Sequence, residues 1–223
     1  LYGHGDQTAD GAVFSRADLS INGGGSLTVQ SMHHGIVCKD SLVISGPKLS
    51  VTAQGQGISG KDCVKIQEGS FQLDTQTDAI QSDNQNSGDK GFIYIAGGEF
   101  TIRSQTDAIQ AETVLRIDGG RIDILTNGGS ENVPASLRGS PHTQWSFTDA
   151  SGSDEEEEAV DFNSKGLKAR GEILIRGGVF SLDTFDDAIH ANGNVRIDGG
   201  DFSISTGDDG IHADGDVIIS GGV

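Results

Sequence analysis

One unit of 22 residues recurs along nearly the whole chain, and that period limits the fold more than any other feature. Its clearest copies are Glu172–Gly193, EILIRGGVFSLDTFDDAIHANG, and Asn194–Gly215, NVRIDGGDFSISTGDDGIHADG. Gly91–Glu112, Leu19–Asp40 and Ser41–Asp62 follow the same plan, and Cys63–Lys90 adds six residues to it. Thr113–Gly171 is a copy opened by an insertion over 127–163, after which SKGLKARG, from Ser164, lines up with DDAIHANG. Asp216–Val223 begins another copy.

Each copy holds three short alternating segments, such as Ile173/Ile175, Phe180/Leu182 and Ile189/Ala191. A period of two means strands with one face inward. Gly-Gly, Thr-Phe-Asp-Asp and Asn-Gly separate them, and these are turn formers. No strand has a local hairpin partner, so each must pair in parallel with its counterpart one copy away, at about 4.8 Å. One copy cannot bury a core alone, but stacked copies share one. The expected fold is all-β: a right-handed parallel β-helix, or solenoid, of about eight coils with three short strands each. It is expected to form one domain over 1–223, read as a piece of a longer chain. Two columns should point inward. One is Ile36, Ile58, Ile80, Ile109, Leu167, Ile189 and Ile211; the other is Leu27, Leu49, Phe71, Phe100, Ile122, Phe180 and Phe202. A leucine-rich repeat has a similar period, but its Leu/Asn signature is missing.

The formal net charge of −18 repels nucleic-acid phosphates and suits cations. No apolar run approaches the ~18 residues of a membrane span. The acidity concentrates in the third turn, where successive copies carry Thr77-Asp78, Thr106-Asp107, Ser164-Lys165, Asp186-Asp187 and Asp208-Asp209. Stacked carboxylates at that spacing repel by roughly 3 kcal/mol at an effective dielectric near 20. They can protonate, splay into water or share a cation, and Ca2+ accepts such oxygen-rich, flexible shells. Asp186, Asp187, Asp208 and Asp209 are the main expected calcium ligands, with Asp161 and Asn163 completing the shell and Asp78 and Asp107 as further candidates. The bland alternative is that these aspartates only bond turn amides. His190 and His212 share a column with Lys168; they are either metal ligands or a stack of outward rings. The Asp154–Glu158 run reads as a solvated loop.

Outward positions of the first strand read Val43, Lys65, Tyr94, Arg116, Leu174, Arg196 and Ile218. Lys65, Tyr94, Arg116 and Arg196 form a candidate carbohydrate-binding face, because Arg pairs well with sugar acids. The second strand's outer column, from Thr28 to Ser203, is polar and open to the same use. Trp145, in the insertion, either stacks on a sugar ring or pins its loop.

The phrases SKGLKARGEILIRGG, DDAIHANGNVRIDGG and DDGIHADGDVIISGG, with GIVCKDSLVISG, GISGKDCVKI and DKGFIYIAGGEF, resemble the bacterial carbohydrate-binding β-helix proteins related to pectate lyases. The resemblance runs from about Asp10 to Val223, omitting the insertion. It implies a secreted or cell-surface protein that binds calcium and plant cell-wall polysaccharide, with cellulose and polygalacturonate-like polymers as ligands. Catalysis is not the implied role. His33-His34 and Gly55-Gln56 stand where later copies carry Asp, so metal sites should be missing from the first coils.

A calcium-dependent lyase is the competing reading, with Lys165 and Lys168 as its candidate base. A lysine base needs a lowered pKa, and neighbouring carboxylates work the other way. A purely structural surface protein is the third. Cys38 should stack over Gly60 rather than Cys63, too far from Cys63 for an ordinary disulfide, so two free thiols are expected.

Overall fold

The computed structural model describes residues 11–86, 88–135 and 164–222. Among them the protein is all-β apart from one short 3-10 turn at Ser130–Asn132, and every strand pair is parallel. The third segments of the copies make an eight-stranded sheet running from Gly11–Ser15 to Ile211–Ala213 in sequence order. First and second segments share a forked sheet of 13 strands. In each case a strand pairs with its counterpart one copy before and one copy after, as the repeat requires.

The predicted columns are in register. Ile58 lies beside Ile36 and Ile80, and Leu167 beside Ile109 and Ile189. All six are fully shielded from water, while Ile211, in the last complete copy, is only partly buried. In the second column Phe71 stacks on Phe100 and Phe180 on Phe202, each pair 4.5 Å apart and nearly parallel. Burying each such ring contributes about 1.5–3 kcal/mol, so the shared core carries most of the stability.

The first turn depends on glycine at one position. Gly178 has φ +120°, and an added Cβ would lie 3.1 Å from Gly120 O in the neighbouring copy. Only a residue without a side chain fits that close approach.

The expected three separate strands are corrected in two copies, where Ser41–Ala53 and Cys63–Thr75 each run through the first turn as one strand. Those turns read Gly46-Pro47 and Glu68-Gly69 in place of Gly-Gly. The pairing absorbs the difference as register shifts between Ile44 and Lys48. Cys38 pairs with Gly60, and Cys63 with Ser41; both thiols are free and buried.

The insertion occupies the third turn of its copy. Elsewhere a hydroxyl closes that turn on the carbonyl two residues later: Thr75 on Thr77, Ser104 on Thr106 and Thr184 on Asp186, at 2.7–2.8 Å. Thr126 makes the same bond to Ser164 O at 2.5 Å, across 38 residues of chain. The root of the insertion docks on later copies. Ser130 N donates to Asp183 Oδ1 at 2.8 Å, and Val133 is buried. Trp145, Asp161, Asn163 and the Asp154–Glu158 run lie outside the described residues.

Candidate functional site: a corner ladder and an aromatic groove

Two surfaces carry the side chains singled out in the sequence. The first is the third-turn corner. There the second residue of the pair uses its side chain to accept the backbone amide of the next copy. Asp78 Oδ1 takes Asp107 N at 3.1 Å, Asp107 Oδ1 takes Lys165 N at 2.9 Å, and Asp187 Oδ1 takes Asp209 N at 3.1 Å. His34 Nδ1 does the same for Gln56 N at 2.9 Å. The other carboxylate oxygen meets the residue three positions on. Gln81 Nε2 donates to Asp78 Oδ2 at 3.0 Å; His190 Nδ1 lies 2.6 Å from Asp187 Oδ2 and His212 Nδ1 3.0 Å from Asp209 Oδ2. In the motif D-x-x-Q/H one carboxylate oxygen accepts the backbone amide of the next copy and the other meets the side-chain amide or imidazole of its own copy.

Lysines answer part of the remaining charge. Lys168 Nζ reaches back to Asp107 Oδ2 at 2.7 Å, and Lys165 Nζ bonds Asp186 Oδ2. In the middle copies each buried carboxylate thus has protein donors on both oxygens. Asp78 is the exception in electrostatics. Burial and the nearby Asp107 charge push its pKa up to about 6 against the bonds from Thr106 and the Asp107 amide.

Further along the surplus is negative. One ligand oxygen each from Asp186, Asp187 and Asp208 lie within 4.8 Å of one another. Burial raises the Asp186 pKa despite the Lys165 ammonium beside it. Burial pushes Asp187 the same way, but the His190 bond, the Lys165 charge and the Asp209 amide outweigh it, and its pKa is lowered. Asp209 turns away to His212, and that bond raises the histidine's pKa. Three oxygens at that separation are a candidate set for a cation that takes long, flexible oxygen bonds.

The second surface is the outer face of the first strands. Lys65, Tyr94 and Arg116 are cross-strand neighbours, and Arg196 lies two strands beyond Arg116. Lys65 Nζ sits 5.3 Å from the Phe92 ring centroid, and the Arg116 guanidinium 5.1 Å from that of Tyr94. Phe92, Tyr94, Thr113 and Arg116 line a shallow pocket of about 340 Å3. Phe92 was missed in the sequence because the column was read at one outward position per copy, and Phe92 occupies the outward position before Tyr94.

Each arginine on this face is clamped by the aspartate two residues on. Arg116 Nε and Nη2 donate to Asp118 at 2.8 and 2.6 Å, and Tyr94 OH joins them at 3.0 Å. Arg196 Nε donates to Asp198 at 3.1 Å. The clamp cancels much of the charge expected to meet acidic sugars. It leaves the Phe92 and Tyr94 rings bordered by Lys65, Arg116 and Asp118.

The fold and this face define an all-β protein of parallel-paired copies that presents long, regular faces to solvent. A family described as carbohydrate-binding domain-containing protein matches residues 2–210, and the chain belongs to that family. Its general property, carbohydrate binding, therefore applies here. No curated protein and no solved structure gives a significant match.

Proposed function

We propose that this chain is a calcium-binding, extracellular or cell-surface bacterial protein that holds plant cell-wall polysaccharide, built as a right-handed parallel β-helix. The in-register parallel pairing of every repeat with the next supports the β-helix. The observation that carries the function is the groove of Phe92, Tyr94 and Arg116, on a chain whose family binds carbohydrate. With its arginines clamped by aspartates, this face suits the hydroxyls and apolar ring faces of a neutral glucan such as cellulose. Polygalacturonate faces a net charge of −18 and needs calcium to bridge it. Asp186, Asp187 and Asp208 would supply the oxygens for that ion, with Asp209, Asp161 and Asn163 as neighbours. Asp78 and Asp107 serve the corner as amide acceptors.

Binding is favoured over lyase chemistry. Lys165 and Lys168 each have the amine held on a carboxylate and neither lines the groove. The test is retention on cellulose and on polygalacturonate, with calcium or chelator. Wild type is retained on cellulose under both conditions, and Tyr94→Ala and Phe92→Ala each weaken retention about 10-fold, the scale of one lost aromatic contact. Unchanged retention in both variants places the sugar elsewhere. Steady release of unsaturated sugar from polygalacturonate would restore the lyase.

A further inference from the structure

Two imidazoles stand outside the sugar and calcium readings. His190 and His212 are paired in register on adjacent strands, with rings 4.7 Å apart and inclined by only 14°. Each Nδ1 is bonded to the carboxylate three residues earlier, Asp187 and Asp209. That bond puts the ring proton of the neutral tautomer on Nδ1; Nε2 is then a lone pair in His190, while in His212 it faces Asp214 and a metal must displace a proton shared with that carboxylate. Metal-ligating histidines are oriented in this way, with a carboxylate behind the ring. Nε2 of His190 has no hydrogen-bond partner among the described residues.

One ligand atom each from Asp187, His190 and His212 lie within 4.8 Å of one another, and a second carboxylate stands at the edge of the rings. Asp214 Oδ1 lies 3.6 Å from His212 Nε2, and Asn192 Nδ2 steadies the other oxygen of Asp214 at 3.0 Å. Lys168, next in the histidine column, carries its ammonium away to Asp107 and puts no cation between the rings. The His190 side chain is 16% exposed and that of His212 38%, so the rings are held by packing while their edges reach water.

We propose that His190, His212 and Asp214 form a second metal site, selective for a divalent transition ion of the zinc type rather than for calcium. Two neutral imidazoles and one carboxylate suit a borderline ion, whereas Ca2+ requires an all-oxygen shell. With metal–nitrogen bonds of 2.0–2.1 Å, two nitrogens on a tetrahedral ion lie about 3.3 Å apart. The rings reach this by tilting together at their outer edges, where solvent gives room. Three protein ligands leave a fourth position for water or a sugar hydroxyl. Earlier copies carry Gln81 and Gln110 in this column, which confines the site to the two copies with histidine.

Untagged full chain titrated with Co2+, in excess Ca2+, tests the site, because tetrahedral cobalt absorbs visibly. One equivalent should bind, Zn2+ should displace it, and Ca2+ should not. His190→Gln and His212→Gln should each weaken cobalt binding at least 10-fold, and Asp214→Asn several-fold, with unchanged circular dichroism. The exposed His212 keeps the test usable should His190→Gln disturb the fold. Displacement of cobalt by calcium, no tetrahedral spectrum, or wild-type affinity in His212→Gln overturns the proposal.

Discussion

The middle and the C-terminal stretches of the corner ladder use one backbone and one turn, yet they end in different chemistry. Around Asp78 and Asp107 the donors match the acceptors: two backbone amides, Thr106, Gln81 and Lys168. Around Asp186, Asp187 and Asp208 three carboxylate oxygens lie within 4.8 Å of one another, with Lys165 on Asp186 and with His190 and the Asp209 amide on Asp187. The comparison teaches that acidity alone does not mark a metal site in a repeat protein. What separates the two stretches is crowding: Asp187 staples copies as Asp78 and Asp107 do, but among the described residues three carboxylate oxygens converge only beside it, and the proposed calcium rests on that convergence.

The strongest way to break this distinction is at Asp107. Asp107→Ala leaves the Lys168 ammonium and the Lys165 amide without their acceptor at a site 2% exposed. Breaking a buried pair from one side costs about 3–5 kcal/mol, and Lys168's partial access to water places the loss near about 3. Urea melts should show it equally with calcium or chelator. A loss that appears only with calcium present would make Asp107 a metal ligand.

Asp208 sharpens the other half. In chelator, Asp208→Asn should melt no lower than wild type, since it takes one charge out of three crowded carboxylates. Saturating calcium should stabilise wild type by about 2.7 kcal/mol at a hundred times its dissociation constant, and the variant much less. Calorimetric scans with calcium and with chelator measure both. An equal calcium shift in the two proteins removes Asp208 from the shell.

Much of this was legible in the repeat. A fixed period gives Ile36, Ile58, Ile80 and their successors one environment, so aligning copies is enough to find the core and its register. The acidic corner was legible for the same reason. What the alignment hid is reach. Lys165 and Lys168 stand in the columns of Asp187 and His190, but their long stems deliver charge to Asp186 and Asp107 on neighbouring copies. The arginine clamps had a signal that was overlooked. In Arg116-Ile117-Asp118 the charged residues are two apart on a strand and must face the same way. Phe92 had the same kind of signal, two residues before Tyr94 on one strand, although no other copy repeats an aromatic there.

Asp78 tests the donor balance through pH. Its folded pKa, about 6, lies above the ordinary 3.8. The folded form therefore binds this proton more tightly than the unfolded chain. This contribution favours folding most below about pH 4 and is lost as pH rises through 6. Asp78→Asn should remove that slope and raise neutral-pH stability by about 1–2 kcal/mol, less than the full linkage of roughly 3 because some charged bonds weaken. Gln81 Oε1, buried without a partner among the described residues, can accept from the new amide once Gln81 turns over. Urea melts at pH 4.5 and 7 decide it. A variant less stable than wild type at pH 7 shows that the carboxylate is better answered than its burial implies.

The smallest effect belongs to the N-terminal end, where histidine takes the place of aspartate. His34 Nδ1 accepts Gln56 N as Asp187 Oδ1 accepts Asp209 N, so the shared requirement is an acceptor rather than a charge. His34→Ala strands a backbone amide and should cost about 1 kcal/mol. His34→Asn restores a side-chain acceptor and should recover most of it. Recovery by Asn with no response to calcium would extend the staple role across the ladder. Equal loss in both variants would mean that ring packing, not the accepted amide, holds the first copies together.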